Sequence, residues 1–150
     1  AIDAQTRTER DVLMAMLQHP DLVGPELARK AMACTFTDRW LATVQDGIKI
    51  AMADSAGSEW TVKVEAEVPQ SYTTFVGQLK VGPILEREDR MARYCTKIVS
   101  DFVERDLVAR KARLLGALQR VDPAAEPEKY TELQREIMRV ETERRSLRDE

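Results

Sequence analysis

The chain has 150 residues and a formal net charge of −3, with 33% charged and 5% aromatic side chains and few glycines and prolines. This length is sufficient for one compact domain, or for a core with a small appendage. The composition is typical of a helix-rich soluble protein and argues against a β-sandwich or a disordered chain. The slightly acidic balance argues against a protein that coats nucleic acid.

Two cysteines, Cys34 and Cys95, lie far apart and neither belongs to a C-x-x-C pair. We therefore expect two reduced thiols, with no disulfide framework and no zinc site. No apolar run approaches the roughly 20 residues of a membrane helix, and no signal peptide is recognisable. Because the chain opens without methionine, we expect it to be a piece of a longer protein.

The first predicted helix begins with Thr6 and Glu9, which are spaced as a capping box. Pro20 disfavours helical geometry at His19, so this helix is expected to end there. A second short helix is predicted over 25–33, because Pro25 suits a first turn. The apolar stripe of the first helix consists of Val12, Leu13, Met16 and Leu17.

The next predicted helix lies within 35–57, with Thr37 or Asp38 as its N-cap and Gly57 at its C-cap. Its predicted apolar stripe is Trp40, Leu41, Val44, Ile48, Ala51 and Met52. Valines alternate with polar residues in the following segment, 59–70, as they do in a strand. No second alternating run exists to pair with it, so we interpret this segment as a short helix.

Three further elements complete the chain. A helix of about ten residues is predicted within 71–85, ended by Gly82 and Pro83. A long helix follows to Arg120, and its apolar face drifts partway along. After a proline-punctuated turn at 121–129, a last helix carries a heptad-like seam, in which Arg144 replaces one apolar residue. The apolar members of that seam are Tyr130, Leu133, Ile137, Val140 and Leu147.

The pattern predicts an all-α fold with two parts. Residues 1–104 are expected to form an N-terminal bundle of five to six helices, and residues 105–150 a protruding helical hairpin. Two helices alone cannot enclose each other's apolar faces. The hairpin pattern therefore favours a protein-binding device, which needs no catalytic residue.

Sequence signals for chemistry are sparse. His19 is the only histidine, and we interpret it as part of a helix stop rather than as a catalytic base. No P-loop, dinucleotide-binding, zinc-protease or EF-hand motif occurs. We predict no cofactor, no metal site and no catalytic residue. One basic concentration, formed by Arg110, Lys111, Arg113 and Arg120, is either a solvated helix face or a contact for an acidic protein surface or nucleic acid.

Three stretches together resemble the C-terminal helicase-binding domain of bacterial DNA primase: "ERDVLMAMLQHPDLV", "FTDRWLATVQDGI" and "KYTELQREIMRVETERRSLR". The "MLQHP" element at 16–20 and the last helix are the most specific parts, whereas 57–85 matches poorly. The N-terminal domain of the replicative helicase is similar in its bundle, but the hairpin and "QHP" favour primase.

The resemblance implies that the hairpin docks on the N-terminal domains of the hexameric replicative helicase during primer synthesis, and that the bundle modulates helicase activity. It also implies a cytoplasmic protein at the replication fork on the nucleoid. The zinc-binding and RNA-polymerising domains of a primase are absent from this chain, so we do not expect it to be an enzyme by itself. The resemblance further suggests that the bundle receives the acidic tail of single-strand DNA-binding protein.

The residues expected to dock, or to hold the docking surface, are Leu114, Leu118, Val121, Tyr130, Leu133 and Ile137. Some of them must lie inside the hairpin, and the pattern does not separate the two groups. The alternative hypothesis is a helical domain that binds single-stranded nucleic acid through the basic concentration. We expect nucleic-acid contact by this chain to be weak or absent.

Overall fold

The computed structural model of the protein describes residues 2–55 and 57–148. The described residues form eight α-helices and two 3-10 helices and contain no strand, which confirms the all-α prediction. The α-helices are α1 (Ala4–Gln18), α2 (Pro20–Val23), α3 (Pro25–Met32), α4 (Arg39–Ala53), α5 (Trp60–Ala66), α6 (Thr73–Val81), α7 (Met91–Gln119) and α8 (Pro127–Arg148). The 3-10 helices are Gln70–Tyr72 and Glu88–Arg90. Among the described helices, none has the length and apolarity needed to cross a membrane.

The chain separates into two compact units, Ala1–Phe102 and Val103–Glu150. We call them the bundle unit and the hairpin unit. The bundle unit contains α1 to α6 and the start of α7, in agreement with the five to six helices expected. The last two residues of the predicted hairpin, 149 and 150, lie outside the described residues.

The predicted capping box of the first helix is wrong. Asp3 is the N-cap of α1, and its carboxylate accepts a hydrogen bond of 2.7 Å from the Thr6 backbone N–H. Glu9 instead turns into the core, where it is fully buried. Its carboxylate accepts hydrogen bonds from the Thr37 N–H at 2.9 Å, the Thr37 hydroxyl at 2.8 Å and the Asp38 N–H at 3.0 Å. Because Asp38 caps α4, Glu9 fastens α1 to the start of α4, where a helix favours negative charge.

His19 and Pro20 end α1 as predicted, and the helix-stop interpretation is confirmed. The His19 N–H still bonds to the Ala15 carbonyl at 2.8 Å, and His19 then serves as N-cap of α2. The four-residue helix α2 was not predicted. Gly24 separates it from α3 with φ at 82°, a left-handed value that glycine adopts without strain.

Helix α4 buries most of its predicted stripe, namely Leu41, Val44, Ile48 and Ala51. Trp40 is the exception, because 45% of it is exposed. Its ring instead lies 4.2 Å from the ring of Tyr72 and 5.6 Å from that of Phe75, between centroids. The predicted Gly57 C-cap is also wrong, since α4 ends at Ala53 and the Asp54 N–H bonds to the Ala51 carbonyl.

The alternating segment 59–70 is helical over Trp60–Ala66, as interpreted. Its valines therefore lie on different faces: Val64 is buried, whereas 52% of Val62 is exposed. The Trp60 indole N–H donates to the Met16 carbonyl at 3.0 Å and fixes α5 to α1. Helix α4 approaches this segment closely at Gly47, where a Cβ atom would lie 2.7 Å from Val68.

Helix α6 ends at Gly82 and Pro83, as predicted. The Gln18 side-chain amide donates to the carbonyls of Leu79 and Gly82, at 2.9 Å each, so α1 supplies partners for the end of α6. A second buried amide, that of Gln45, donates to the Met32 and Cys34 carbonyls. The polar groups of this core are therefore well paired. Cys34 and Cys95 are both buried free thiols, and burial raises the pKa of Cys95.

Candidate protein-docking surface of the hairpin unit

The turn between α7 and α8 depends on Asp122. Its carboxylate accepts a hydrogen bond of 3.0 Å from the Ala124 N–H, and its carbonyl accepts one of 2.9 Å from the Glu126 N–H. Pro127 then occupies the first turn of α8, where it lacks only an N–H that would have no helical partner. This turn returns the chain alongside α7.

Ion pairs join the two helices along their length. The Glu104 carboxylate on α7 lies 3.1 Å from the Arg144 guanidinium and 3.5 Å from that of Arg148, both on α8. Further along, the Lys111 ammonium lies 2.9 Å from the Glu141 carboxylate. Since higher positions on α7 pair with lower positions on α8, the helices are antiparallel. Arg144 thus fills its place in the heptad seam by charge rather than by apolar contact.

The Glu141 carboxylate is shared. It accepts hydrogen bonds from Lys111 and from Arg144, the latter at 3.1 Å. These two bonds, that of Lys111 first, hold the pKa of Glu141 below its ordinary value. The bond to Glu104, followed by that to Glu141, raises the pKa of Arg144. The network stabilises the charged forms of its members, so it persists at neutral pH.

The structure places the six predicted site residues mainly at the junction of the two helices. Val121 is buried, and the other five are half-buried. Those on α7 recur at the spacing of buried Leu107, and those on α8 at the spacing of buried Val140 and Leu147. Their contact with a partner stays a prediction. The predicted residues are Leu114, Leu118 and Val121 on α7, and Tyr130, Leu133 and Ile137 on α8.

Three large apolar side chains of the hairpin unit are exposed: Val108 by 46%, Leu115 by 40% and Met138 by 69%. Leu115 and Met138 belong to adjacent apolar pairs that the sequence marks, but Val108 was missed. The signal was present, because Leu107 and Val108 repeat the pair at 114 and 115 one heptad earlier. One member of each pair must face away from the seam.

A cavity of about 930 Å³ is the other concave feature, and it lies within the bundle unit. Its apolar lining consists of Met16, Pro20, Pro25, Ala28, Met32, Met52 and Trp60, with smaller residues between them. Three cations, Arg29, Lys49 and Lys63, and two carboxylates, Asp21 and Asp54, complete the wall. The Lys63 ammonium donates to the Asp54 carbonyl at 2.9 Å. The cavity suits an apolar ligand with some negative charge.

A family model described as DNA primase DnaG DnaB-binding matches residues 9–133. The chain belongs to this family. The match covers more than four-fifths of the chain, including every helix from α1 to the first turns of α8. It confirms the family that the "MLQHP" element and the last helix indicated. A family defined by binding also agrees with the expectation of an interaction module rather than an enzyme.

Individual members of the DnaG DnaB-binding family are similar over nearly the whole chain. DNA primases of Mycobacterium tuberculosis and Mycolicibacterium smegmatis are each 28% identical across 93% of this chain, which spans 22% of their length. A solved structure, the helicase binding domain of primase from Mycobacterium tuberculosis, is 26% identical with a TM-score of 0.70. The match covers 96% of this chain and 91% of that one.

The DnaG DnaB-binding chain does not present its basic concentration as one block. Arg110 pairs with Asp106 at 3.0 Å, and Lys111 pairs with Glu141. Arg113 and Arg120 make no ion pair within residues 2–55 and 57–148. The comparisons support helicase interaction and not the nucleic-acid alternative. Within the same ranges, no group of three His, Cys, Asp or Glu side chains could hold a metal ion.

Proposed function

We propose that this chain docks a DNA primase on the N-terminal domains of the hexameric replicative helicase during primer synthesis. The observation that carries the proposal is the family match over residues 9–133, because the family is described by its binding to DnaB. The similar solved structure is titled a helicase binding domain. Both names concern binding of the same kind, and they agree with a chain whose polar core groups are structural.

The hairpin, residues 105–150, is the part proposed to dock, and residues 1–104 form the bundle that modulates helicase activity. A pair of helices presents side chains on several faces, and such a pair binds well against other helices. The six predicted residues then hold the two helices in register, and their exposed edges extend the contact. This division of work is the reason that the two parts are substituted separately below.

The chain spans 22% of the primases that it matches, so the proposed activity of the whole protein is supplied elsewhere. We propose that the parent protein is a primase, a DNA-dependent RNA polymerase that acts at the replication fork on the nucleoid. This chain then contributes placement rather than chemistry. Its role is to keep primer synthesis next to the point where the helicase produces single-stranded template.

The docking proposal is tested by calorimetric titration of the 150-residue chain with the replicative helicase of the same organism. We expect saturable binding by the wild-type chain. Charged substitutions in the hairpin, Tyr130→Glu and Ile137→Glu, are expected to weaken it by at least about tenfold, because half-buried aromatic and aliphatic anchors carry much of an interface's energy. Circular dichroism checks that each variant remains helical.

A matched pair in the bundle controls this experiment. Leu85→Glu and Ile50→Glu place the same charge on side chains that are 95% and 51% exposed. They should bind the helicase as the wild-type chain does. Absence of wild-type binding would contradict the proposed function. Equal binding by all four variants would instead remove Tyr130 and Ile137 from the docking residues.

As a second partner, we propose the acidic tail of single-strand DNA-binding protein, with the bundle cavity as its site. The apolar lining and the cations Arg29, Lys49 and Lys63 support this assignment, since they match a chain end that combines acidic and apolar residues. A fluorescent peptide of the tail is expected to bind the chain, and Lys49→Glu with Lys63→Glu to release it. Binding that both substitutions leave intact would place the tail elsewhere.

A further inference from the structure

The three exposed apolar side chains of the hairpin unit surround a single ion pair. Residues three or four positions apart are neighbours on a helix surface. Val108 and Leu115 are therefore the two neighbours of Lys111 along α7. Met138 is likewise the neighbour of Glu141 along α8. Because the Lys111 ammonium and the Glu141 carboxylate lie only 2.9 Å apart, the three apolar side chains come together in one patch that spans both helices.

The patch contains all of the large apolar side chains that are exposed in the described part of the hairpin unit. We call it the Lys111 patch, defined by Val108, Lys111, Leu115, Met138 and Glu141. Its centre is polar but neutral, since the two charges satisfy each other. Roughly a third of each charged side chain is accessible, 32% for Lys111 and 35% for Glu141. A partner that covers the patch thus meets aliphatic surface without an unpaired charge, which limits the desolvation cost.

The free charge at the edge of the patch is positive. The two carboxylates on this side, Glu104 and Glu141, are both held in ion pairs. Arg145 follows Glu141 by four residues and makes no ion pair within residues 2–55 and 57–148. On α7, no carboxylate is among the exposed residues from Arg105 to Arg120. These charges favour a partner surface with acidic side chains around an apolar centre.

We propose that the Lys111 patch is the docking surface for an acidic helical surface on the N-terminal domains of the replicative helicase. This inference rests on the proposed function and adds the face of the hairpin that meets the helicase. The seam residues are on a different side of each helix, so they support the patch from behind. A protein fits better than nucleic acid, because the patch has no aromatic side chain on which a base could stack.

The test is calorimetric titration of the 150-residue chain with the helicase N-terminal domains. Leu115→Glu and Met138→Glu, on separate helices, are each expected to weaken binding by at least about tenfold. Arg113→Glu is the matched control, because it lies on α7 two residues from Leu115 and faces another direction. It should bind within about twofold of the wild-type chain. Leu115→Ala and Met138→Ala provide milder versions should either glutamate variant lose helical structure.

The outcomes separate the two proposals. If the wild-type chain binds, but the Leu115 and Met138 variants bind equally well, the Lys111 patch is wrong while the helicase function stands. If the wild-type chain does not bind, the proposed function itself fails. A parallel titration uses a fluorescent single-stranded oligonucleotide. Loss of oligonucleotide binding in the patch variants, with helicase binding intact, would overturn the protein assignment in favour of nucleic acid.

Discussion

The bundle unit and the hairpin unit satisfy their side chains in opposite ways. In the bundle unit, buried polar groups such as Glu9, Gln18 and Gln45 all donate or accept hydrogen bonds across helices. In the hairpin unit, the contacts across helices that carry charge lie at the surface, around Glu104 and Glu141. The bundle has spent its polar groups on stability, whereas the hairpin leaves apolar side chains open.

This difference teaches where function is to be sought. A core of paired polar groups and close-packed aliphatic side chains has little left to offer a partner. A two-helix unit with exposed Val108, Leu115 and Met138 still has apolar area to bury. Each such side chain gains on the order of 1 kcal/mol or more from burial. Substitutions in the bundle should therefore change stability, and substitutions on the hairpin surface should change binding.

The largest effect is expected at Glu9 in the bundle. Glu9→Ala removes the acceptor of the Thr37 and Asp38 N–H groups, and a buried donor without a partner costs about 1–3 kcal/mol. The free energy of unfolding, measured in urea, should fall by at least that amount. Glu26→Ala, at an exposed glutamate of α3, is the control and should change stability by less than about 0.5 kcal/mol. Equal stability of both variants would contradict the role given to Glu9.

An intermediate effect is expected at Val140, which is buried in the hairpin unit. Val140→Ala removes two methyl groups and should destabilise the chain by about 1–2 kcal/mol. The neighbouring substitution Met138→Ala removes exposed atoms and should leave thermal unfolding unchanged. Calorimetric melting of the two variants compares them directly. Equal melting temperatures would show that the hairpin has no seam of its own to protect.

The smallest effect concerns pH. The folded pKa of Glu141 is lowered, so its charged form contributes stability that is present above the ordinary glutamate pKa. That contribution is lost as the pH falls from the ordinary value through the lower folded value. Glu141→Gln should therefore melt with less dependence on acid than the wild-type chain, in scans between neutral pH and about pH 3. A parallel pH dependence in both proteins would contradict the Lys111–Glu141 pairing.

Helical periodicity was sufficient to predict most of the architecture. The long apolar repeats of α1, α4 and α7, and the proline-marked turn before α8, are local features that tertiary contacts reinforce. The seam of α8 was predicted for the same reason, down to Arg144 as its one charged member. Locally consistent signals of this kind are those that survive folding.

The misses share another cause. Thr6 and Glu9 have the spacing of a capping box, but Glu9 finds better donors 28 and 29 residues away. Trp40 follows the apolar stripe of α4, yet it stacks on Tyr72 and Phe75 instead. The exposed member of the pair at 107 and 108 depends on where α8 lies. None of these contacts is visible within a window of one helix.

Hydrogen exchange of the 150-residue chain, measured with and without the replicative helicase, tests the central claim most directly. The account predicts that amides of the hairpin unit, above all those from Val108 to Leu115 and around Met138, exchange more slowly in the complex. Slower exchange confined to the bundle unit, with the hairpin unchanged, would contradict it.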